Sequence, residues 1–400
     1  MTKVYDAVVI GAGPAGTSAA HALAEGGARV LLLEKARIPR YKPCGGGITE
    51  RARRASPLVS GFPVETAATT VLVSLGRRTL RCAMPVPIGM VMRDKFDAYL
   101  ASEAVRAGAE LRDCTPMTAL DLQASCIAVH TPNDVVRAAY VVGADGANGV
   151  TARLAGFKRR RAPGAAVEVE LEVVEDVRRR YEQALLLDLQ AVEGGYGWIF
   201  GKADRLSVGL GVFHADRPRD LRGTLATFLN QHEDLRGGER LLQKGHLIPL
   251  AGGRPTHRLG PVLLAGDAAA LADPLTAEGI SYALASGRRA GQSILAALGG
   301  NAGMLEGYDR YIRRDLCGDL RYARLIAALS YRFPDVIARL AKQDTALRAA
   351  DTGAVSGTLE YRSLLLLMVR KAPKLLHALM TRGQPAAQLL PTESPISPAR

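Results

Sequence analysis

The start of the chain alternates between short apolar segments and a helical one. Val4–Ile10 is β-branched and apolar, as expected of a buried parallel strand. An alanine-rich helical pattern follows from about Pro14 to Glu25, and residues 28–33 repeat the apolar strand pattern. The order strand, helix, strand predicts a βαβ unit.

The turn between that first strand and helix has the spacing Gly11-x-Gly13-x-x-Gly16. Gly11 suits a tight turn, Gly13 lets the backbone approach a pyrophosphate, and Gly16 lets the helix pack close to the strand. The N-terminus of the helix then faces the phosphates. Glu34 ends the second strand, where a carboxylate accepts hydrogen bonds from a ribose. The unit therefore predicts a dinucleotide site.

Farther along, the pattern changes from mixed to strand-rich and then to helical. Residues 94–107 predict a helix, and the strand patterns cover residues 167–174, 184–190, 196–200 and 206–213. A short buried strand returns at residues 261–265, followed by a long helix from about 278 to 298 and a helical pattern to about 382.

These patterns predict an α/β fold in which a Rossmann-type domain is interrupted by an antiparallel, β-rich substrate domain. We assign residues 1–60, 90–160 and 255–300 to the discontinuous dinucleotide-binding domain, and residues 61–89 and 161–254 to the substrate domain. A helical C-terminal region covers residues 301–382. Residues 383–400 hold four prolines and little apolar periodicity, so we expect a disordered tail.

Composition narrows the class of protein. The chain has 400 residues, is 48% hydrophobic and carries a net charge of +13, which favours anionic partners. Aromatic residues are scarce and not interleaved with the basic ones, so we expect no nucleic-acid partner. Five cysteines without a Cys-x-x-Cys pair, and seven histidines without ligand spacing, predict neither a metal site nor a disulfide framework.

The same features bear on location. No apolar run is long enough for a transmembrane helix, and the first strand begins too early to leave room for a signal peptide. We therefore expect a cytoplasmic protein. Residues 362–380 mix leucines with basic residues and contain Pro373, so they either lie at an anionic membrane surface or close the substrate domain as helix. The first alternative places the protein on the inner face of the membrane.

Three segments resemble the cofactor signatures of flavoproteins of the para-hydroxybenzoate hydroxylase type. Residues 143–150 (GADGANGV) with Arg153 are similar to the second signature, and residues 266–269 (GDAA) to the third. Residues 273–280 (DPLTAEGI) open a helix whose amides face the pyrimidine edge of a flavin. Arg93 resembles the family arginine that contacts the cofactor. The resemblance implies tightly bound FAD.

Two further motifs resemble those of the geranylgeranyl reductase family of flavoproteins. They are YKPCGGGI at residues 41–48 and GYGWIF at residues 195–200, and the resemblance extends from about Val4 to Tyr331. In this family, reduced flavin saturates carbon–carbon double bonds of a polyprenyl chain on a diphosphate, lipid, quinone or chlorophyll. Glu193 and Gly201 stand where the family pattern has prolines. We expect Gly201 to loosen the strand end and Glu193 to add a charge near the substrate tunnel.

The resemblance also assigns roles to residues. Cys44 either donates a proton beside the reacting carbon or packs there as a small apolar residue. Tyr196 and Trp198 share one strand face, as a tunnel wall and part of the catalytic site or as core, and Phe200 joins the substrate set. Cofactor binding is assigned to Gly11, Gly13, Pro14, Ala15, Gly16, Glu34, Lys35, Cys44, Gly45, Gly46, Gly47, Arg93, Asp145, Gly146, Gly266, Asp267, Pro274, Gly279 and Ile280.

The implied reaction adds a hydride from reduced flavin and a proton from the opposite side to an isoprenoid double bond. No second GxGxxG opens a βαβ unit, so the electrons come either from NADPH docked without its own Rossmann domain or from a small redox protein. Two alternatives stay open: a FAD-dependent monooxygenase on the same scaffold, and a non-catalytic flavin-binding, membrane-associated protein.

Overall fold

Two sheets and a C-terminal group of helices organise the chain. The structure is a computed structural model that describes residues 4–75, 78–122, 126–158, 164–213, 220–252, 256–371 and 373. The predicted tail, residues 383–400, and the second half of the basic, leucine-rich segment lie outside the described residues.

The secondary structure alternates in the first third, is mainly strand in the middle and is helical at the end. The strands are β1 (Val4–Ile10), β2 (Val30–Leu33), β3 (Gly47–Ile48), β4 (Thr66–Leu75), β5 (Arg78–Met90), β6 (Glu110–Arg112), β7 (Ala119–Leu122), β8 (Ile127–His130), β9 (Val135–Gly143), β10 (Gly164–Glu172), β11 (Ala184–Asp188), β12 (Gly195–Gly201), β13 (Leu206–Val212), β14 (Glu239–Ile248), β15 (Arg258–Leu259) and β16 (Val262–Leu264). The helices are α1 (Pro14–Glu25), α2 (Glu50–Ala55), α3 (Arg93–Arg106), α4 (Thr151–Leu154), α5 (Glu175–Arg180), α6 (Leu221–Gln231), α7 (Ile280–Leu298), α8 (Gly303–Tyr311), α9 (Cys317–Arg332), α10 (Pro334–Gln343), α11 (Thr345–Ser356) and α12 (Tyr361–Arg370). Short 3₁₀ turns cover Pro57–Gly61, Glu233–Leu235 and Gly266–Ala269, and a π-helical turn covers Ile312–Leu316.

The first sheet has the strand order β15-β16-β9-β1-β2-β6, with β8 also pairing with β9 and β7 with β8. The pairs β1–β2, β1–β9, β9–β16 and β2–β6 are parallel. Their side chains are apolar because helices or loops cover both faces, as in other parallel sheets. The carboxyl ends of β1, β2, β9 and β16 all lie at one edge, and this edge places the predicted cofactor loops together.

Helix α1 crosses that sheet and packs against α7. A Cβ on Gly287 of α7 would lie 1.9 Å from the carbonyl oxygen of Ala15, so the two helices approach with no side chain between them at this point. The apolar residues of α1, α7 and the sheet form one core. This contact fixes α7, whose N-terminus is part of the predicted flavin site, relative to the glycine loop.

The second sheet has the order β14-β10-β13-β12-β11-β4-β5-β3. Its neighbours are antiparallel except β4 and β11, which are parallel. One face packs its apolar residues against α6, and α11 lies on β5 at the other side of the sheet. Strand β3 lies directly after Cys44 and pairs with β5, so the Cys44 segment is joined to this second sheet. None of the helices in the described part of the chain is long and apolar enough to cross a membrane.

Candidate functional site

The glycine loop after β1 has the shape that a dinucleotide turn requires. Gly11 has a φ of +101°, and a Cβ on it would lie 2.5 Å from the carbonyl oxygen of Ala144. A Cβ on Gly16 would lie 1.8 Å from the carbonyl oxygen of Gly11, so α1 packs against the turn only with glycine here. At Gly13 a Cβ would meet only Arg40 Nη2, at 3.7 Å, so no other described atom crowds this position. The loop is therefore open to a ligand at Gly13.

Glu34, at the end of β2, is buried and holds this turn. Its Oε2 accepts the N–H of Ala12 at 2.9 Å and pairs with Arg40 at 3.1 Å. Its Oε1 accepts the N–H of Ala36 at 3.1 Å. The side chain of Lys35, also predicted to bind the cofactor, is exposed. Of these two neighbours, Glu34 is the one that the fold fixes beside the glycines.

A chain of oppositely charged side chains connects the glycine turn to Cys44. Arg40 binds Asp97 at 2.8 Å, and Asp97 accepts two hydrogen bonds from Arg93 at 2.8 and 2.9 Å. Burial alone would lower the pKa of Arg93, but the Asp97 carboxylate and the Cys44 thiol beside it raise that pKa. Arg93 thus stays charged in a buried position between the cofactor loop and Cys44.

The second and third signatures meet the glycine loop, as the sequence predicts. The Cβ position of Gly11 lies 3.0 Å from Cα of Asp145, and that of Gly266 lies 2.9 Å from Cβ of Ala15. The carboxylate of Asp145 caps α4 by accepting the N–H and hydroxyl of Thr151, both at 2.8 Å. Its other oxygen is buried and has no hydrogen-bond partner among the described residues. The next residue, Gly146, has a φ of +78° and nothing within 4 Å of its Cβ position.

Two helix N-termini point into the same region without side-chain caps. The cap residues are Gly13 for α1, which begins at Pro14, and Gly279 for α7, which begins at Ile280 after the turn that contains Pro274. Neither cap residue has a side chain that could accept hydrogen bonds from the first-turn N–H groups, so these N–H groups can bind an anion or the edge of a flavin. Asp267 Oδ1 lies 3.4 Å from the Cβ position of Gly279. These uncapped amides, beside an open glycine turn, fit FAD.

The Cys44 loop, which we define as Cys44–Gly47, is held tightly by its surroundings. A Cβ on Gly45 would lie 2.6 Å from the ring of Phe200, and one on Gly46, which has a φ of +75°, would lie 2.1 Å from the carbonyl oxygen of Val91. At Gly47 the nearest atom is 3.4 Å away, so a Cβ has room there. Contacts within the protein therefore already require glycine at positions 45 and 46.

Buried polar groups lie beneath this loop. The carboxylate of Glu168 accepts the N–H of Cys44 at 2.7 Å and the hydroxyl of Tyr41 at 2.7 Å. Lys202 Nζ donates to the carbonyl oxygens of Gly45 at 2.6 Å and Val91 at 2.7 Å. Burial raises the pKa of Glu168 and lowers that of Lys202. The sequence does not reveal this group, because Glu168 and Lys202 lie far from the Cys44 loop in sequence and belong to no motif.

An apolar cavity of about 220 Å³ begins at the Cys44 loop and at Leu275–Ile280. Its wall follows the inner face of the second sheet and ends at helices α9, α10 and α11. The sheet contributes Val71, Val73, Ile88, Met90, Leu185 and Leu187, and the far end contains Ser330, Ile337, Asp351 and Val355. A second, smaller cavity shares Ser330, Ile337 and Asp351 with the first and extends towards α12.

Tyr196, Trp198 and Phe200 point from β12 into this cavity, which confirms that alternate residues of the strand share a face. Neighbouring rings lie 6.2 and 6.3 Å apart between centroids. The Tyr196 hydroxyl donates to the carbonyl oxygen of Thr276 at 2.5 Å, and Trp198 Nε1 donates to Ser207 at 3.3 Å. The rings therefore form a fixed wall whose polar atoms are already bonded.

Gly201 and Glu193, which stand where the family pattern has prolines, do not have the effects expected from the sequence. Gly201 does not loosen the strand: a Cβ there would lie 2.2 Å from the carbonyl oxygen of Tyr181, and Thr66 donates to the Gly201 carbonyl at 2.7 Å. Glycine is needed for this close packing. Glu193 is exposed and is absent from the described lining of the cavity, so its charge stays outside the cavity.

Comparison with known proteins assigns the family. The FAD binding domain family matches residues 4–187. A chloroplastic geranylgeranyl diphosphate reductase of Oryza sativa is 30% identical over 379 residues, which cover 86% of this chain and 76% of the relative. The chain belongs to the geranylgeranyl reductase family of FAD-dependent oxidoreductases.

Other members of the geranylgeranyl reductase family cover nearly the whole chain. A digeranylgeranylglycerophospholipid reductase of Methanocaldococcus jannaschii is 27% identical over 94% of this chain and 97% of its own length. A geranylgeranyl bacteriochlorophyll reductase-like protein of Thermoplasma acidophilum superposes with a TM-score of 0.75 at 22% identity, covering 95% of this chain and 99% of that one. At that identity the superposition shows the shared fold.

Several residues of this reductase-family site carry no sequence motif. Arg40, which joins Glu34 to Asp97, and Tyr331, whose hydroxyl donates to the carbonyl oxygen of Leu275, come from loops and helices without a signature. His246 lines the cavity, and burial lowers its pKa to about 3, so the ring is neutral. No group of three or more His, Cys, Asp or Glu side chains that could hold a metal occurs in the described ranges.

Proposed function

We propose that the protein is a reductase that saturates carbon–carbon double bonds of a geranylgeranyl-type polyprenyl chain, using FAD. The observation that carries the proposal is the apolar cavity, because it begins at the Cys44 loop and continues along the sheet to α11. Carbon side chains line most of it, and an isoprenoid chain has only apolar groups to bury there. The names of the Oryza and Methanocaldococcus relatives, a geranylgeranyl diphosphate and a digeranylgeranyl lipid reductase, support this substrate class.

The residues of the chain would bind and orient the double bond. Trp198 and Phe200 press the isoprenoid against the loop side of the cavity, and the wall excludes water from the reacting carbons. Bound FAD, when reduced, supplies a hydride to one carbon of the double bond. Cys44 lies at the same end of the cavity, and we assign its thiol as the proton donor to the other carbon, with solvent restoring that proton.

For FAD itself, we retain the assigned residues at the glycine loop, the signatures and the N-terminus of α7. Arg40 is added because its guanidinium lies beside Gly13 and between two carboxylates. As electron donor we propose NADPH, docked without a Rossmann domain of its own, with a small redox protein as the alternative. The domain boundaries given above are part of the same proposal.

We further propose a cytoplasmic protein that associates with the inner membrane surface through α9 and α12. Leu366 and Val369 of α12 are 50% and 61% exposed, and Leu325 of α9 is 55% exposed. Arg370, at the end of α12, adds positive charge, which suits anionic lipid. However, Tyr361 at the start of α12 is fully buried in the core that includes the first sheet, so the beginning of this helix packs inside the protein.

The test is an anaerobic incubation of the FAD-loaded protein with dithionite and geranylgeranyl diphosphate, followed by mass spectrometry of the prenyl product. Each saturated double bond adds two hydrogens, so the mass rises by two units a step. We expect Trp198→Ala and Cys44→Ala to retain FAD and lose most of this activity. Val174→Ala, at a site that is 71% exposed, serves as the matched control.

Each outcome separates the candidate functions. Turnover without oxygen excludes a monooxygenase, which consumes oxygen, and flavin that no reductant bleaches indicates a non-catalytic binder. Normal flavin reduction without a mass gain rejects free geranylgeranyl diphosphate as substrate. Lipid-linked and quinone-linked chains would then be compared in the same assay.

A further inference from the structure

The buried polar group beneath the Cys44 loop holds that loop from two sides. Glu168 accepts the N–H of Cys44, and Lys202 donates to the carbonyl oxygen of Gly45, the next residue. Lys202 also binds the carbonyl oxygen of Val91, just before α3, and Val91 in turn donates its N–H to Gly46. Two side chains, one from β10 and one just after β12, thus fix backbone groups of two consecutive residues of the loop.

Glu170 completes the group. It lies two residues after Glu168 on the same face of β10, and its carboxylate approaches the Tyr41 hydroxyl at 3.4 Å, while Glu168 accepts that hydroxyl at 2.7 Å. Both glutamates are at most 2% exposed. The second oxygen of each carboxylate is buried without a hydrogen-bond partner among the described residues. The two buried carboxylates therefore share one hydroxyl and have few hydrogen-bond donors.

A count of hydrogens at Tyr41 indicates where a proton lies. The hydroxyl has one hydrogen, and the shorter contact assigns it to Glu168. The contact between Tyr41 and Glu170 is then a hydrogen bond only if Glu170 carries a proton and donates it to the Tyr41 oxygen. Glu168 and Glu170 share one face of a buried strand, so the repulsion between two negative charges also disfavours the ionisation of both. Burial raises the pKa of Glu170 to about 7, in agreement with this geometry.

We propose that Tyr41, Glu168, Glu170 and Lys202 form a loop clamp, in which a proton held on Glu170 keeps the Cys44 loop in its working position. Glu168 and Lys202 act as positioning residues, because they hold backbone groups of the loop and do not themselves contact the reacting atoms. The relevance of the clamp to catalysis rests on the proposed function, which places this loop against the flavin.

Loss of the proton would loosen the clamp. An ionised Glu170 gives up its hydrogen bond to Tyr41, repels Glu168 and attracts Lys202 Nζ away from the carbonyl oxygens of Gly45 and Val91. The titratable or charged groups that face the two carboxylates come from the Cys44 segment, from the β12–β13 turn and from β14. They are Tyr41, Lys42, Lys202, Arg205, Lys244 and His246. The lysines and Arg205 favour ionisation of the carboxylates, whereas burial opposes it.

The test is amide hydrogen exchange of the peptide that contains residues 42–48, measured by mass spectrometry with and without FAD at pH 6 and pH 8. Rates are corrected with the same peptide unfolded, since intrinsic exchange itself depends on pH. We expect protection in the native protein to fall by roughly ten-fold between the two pH values, which is about the net contribution of one hydrogen bond. Glu170→Gln, which keeps an N–H donor for Tyr41 without the charge, should make protection equal at both.

Matched variants make the result decisive. Glu172→Gln changes an exposed carboxylate on the same strand and should behave as the native protein. Lys202→Met should lose protection at both pH values. Because Lys202→Met alone leaves the buried charge of Glu168 without its cation, Lys202→Met combined with Glu168→Gln gives a neutral version that should fold and still lack protection.

Equal corrected protection of the native loop at pH 6 and pH 8 would overturn the proposal, as would full protection in the double variant. Exchange is independent of turnover, so the two proposals fail separately. A pH-dependent loop in a protein that reduces no prenyl chain would leave the clamp standing and reject the function. Prenyl reduction by a protein whose loop shows pH-independent protection would support the function and reject the clamp.

Discussion

A single carboxylate at the far end of the cavity gives a prediction about stability. Asp351 lies on α11, lines both cavities and makes no hydrogen bond or ion pair among the described residues. Its surroundings are mostly apolar, and burial raises its pKa from 3.8 to about 6. A carboxyl whose pKa is higher in the folded than in the unfolded protein opposes folding when it is ionised.

The size of the effect follows from that pKa difference. Below about pH 3 the carboxyl is neutral in both states, and the penalty is absent. The penalty grows as the pH rises from about 4 to 6 and is constant above, at about 3 kcal/mol for a difference of about two units. This is an upper bound, because Asp351 is only partly buried and solvent screens its charge. Asp351→Asn keeps the shape without the charge, so its free energy of unfolding should exceed that of the native protein by up to this amount at pH 8.

Urea denaturation of the FAD-loaded native and Asp351→Asn proteins, at pH 4.5 and pH 8, measures this difference. We expect the free energy of unfolding of Asp351→Asn to exceed that of the native protein by a small amount at pH 4.5 and by between about 1 and 3 kcal/mol at pH 8. Asp315→Asn, at an exposed position in the π-helical turn, is the control and should show no such widening. A gap that is the same at both pH values would refute the reasoning, since it would mean that the charge of Asp351 is not destabilised by its surroundings.

Three further variants test the FAD turn, the Arg40 ion pairs and the proposed membrane contact. Gly16→Ala places a methyl group against the carbonyl of Gly11, so α1 must move. The FAD affinity, measured by flavin fluorescence titration, should fall by at least ten-fold, whereas Gly307→Ala in α8, with no neighbour within 4 Å of its Cβ position, should leave it unchanged. Arg40→Met leaves Glu34 and Asp97 without a shared partner and should lower the free energy of unfolding by about 3 kcal/mol. Arg37→Met, at an exposed position, is the control, and equal urea midpoints for the two variants would contradict the role of Arg40. Leu366→Ser combined with Val369→Ser should reduce flotation with anionic liposomes by ten-fold or more without changing the melting temperature, and unchanged flotation would reject α12 as the membrane contact.

The cofactor half of the site could be predicted from sequence because its chemistry is local. The glycine turn, the second signature and the opening of α7 each occupy a few consecutive residues, and parallel strands bring their ends to one edge of a sheet. The predicted helix at residues 94–107 occurs at Arg93–Arg106, and the predicted strand at residues 196–200 at Gly195–Gly201. Local periodicity is sufficient for such elements.

The substrate half could be predicted only in part. The aromatic face of β12 follows from alternation, but β4, β5 and β14 supply cavity residues without a distinctive motif. Glu168 and Glu170 stand out in a buried strand only when the structure places Tyr41 and Lys202 against them. Pairing between strands so distant in sequence depends on long-range packing, which periodicity does not encode.

The junction of the two halves explains how a flexible substrate could be held accurately over a flavin. Strand β3 begins at Gly47, the last residue of the Cys44 loop, and pairs with β5. Glu168 and Lys202 bind the loop from β10 and from the residue after β12. The loop is therefore bonded to the same sheet that forms the cavity wall. A motion of this sheet relative to the Rossmann part would carry loop and wall together, so the distance between Cys44 and a bound double bond depends on the loop clamp. Reaction geometry should consequently respond more to changes in Lys202 than to changes in the aromatic wall alone.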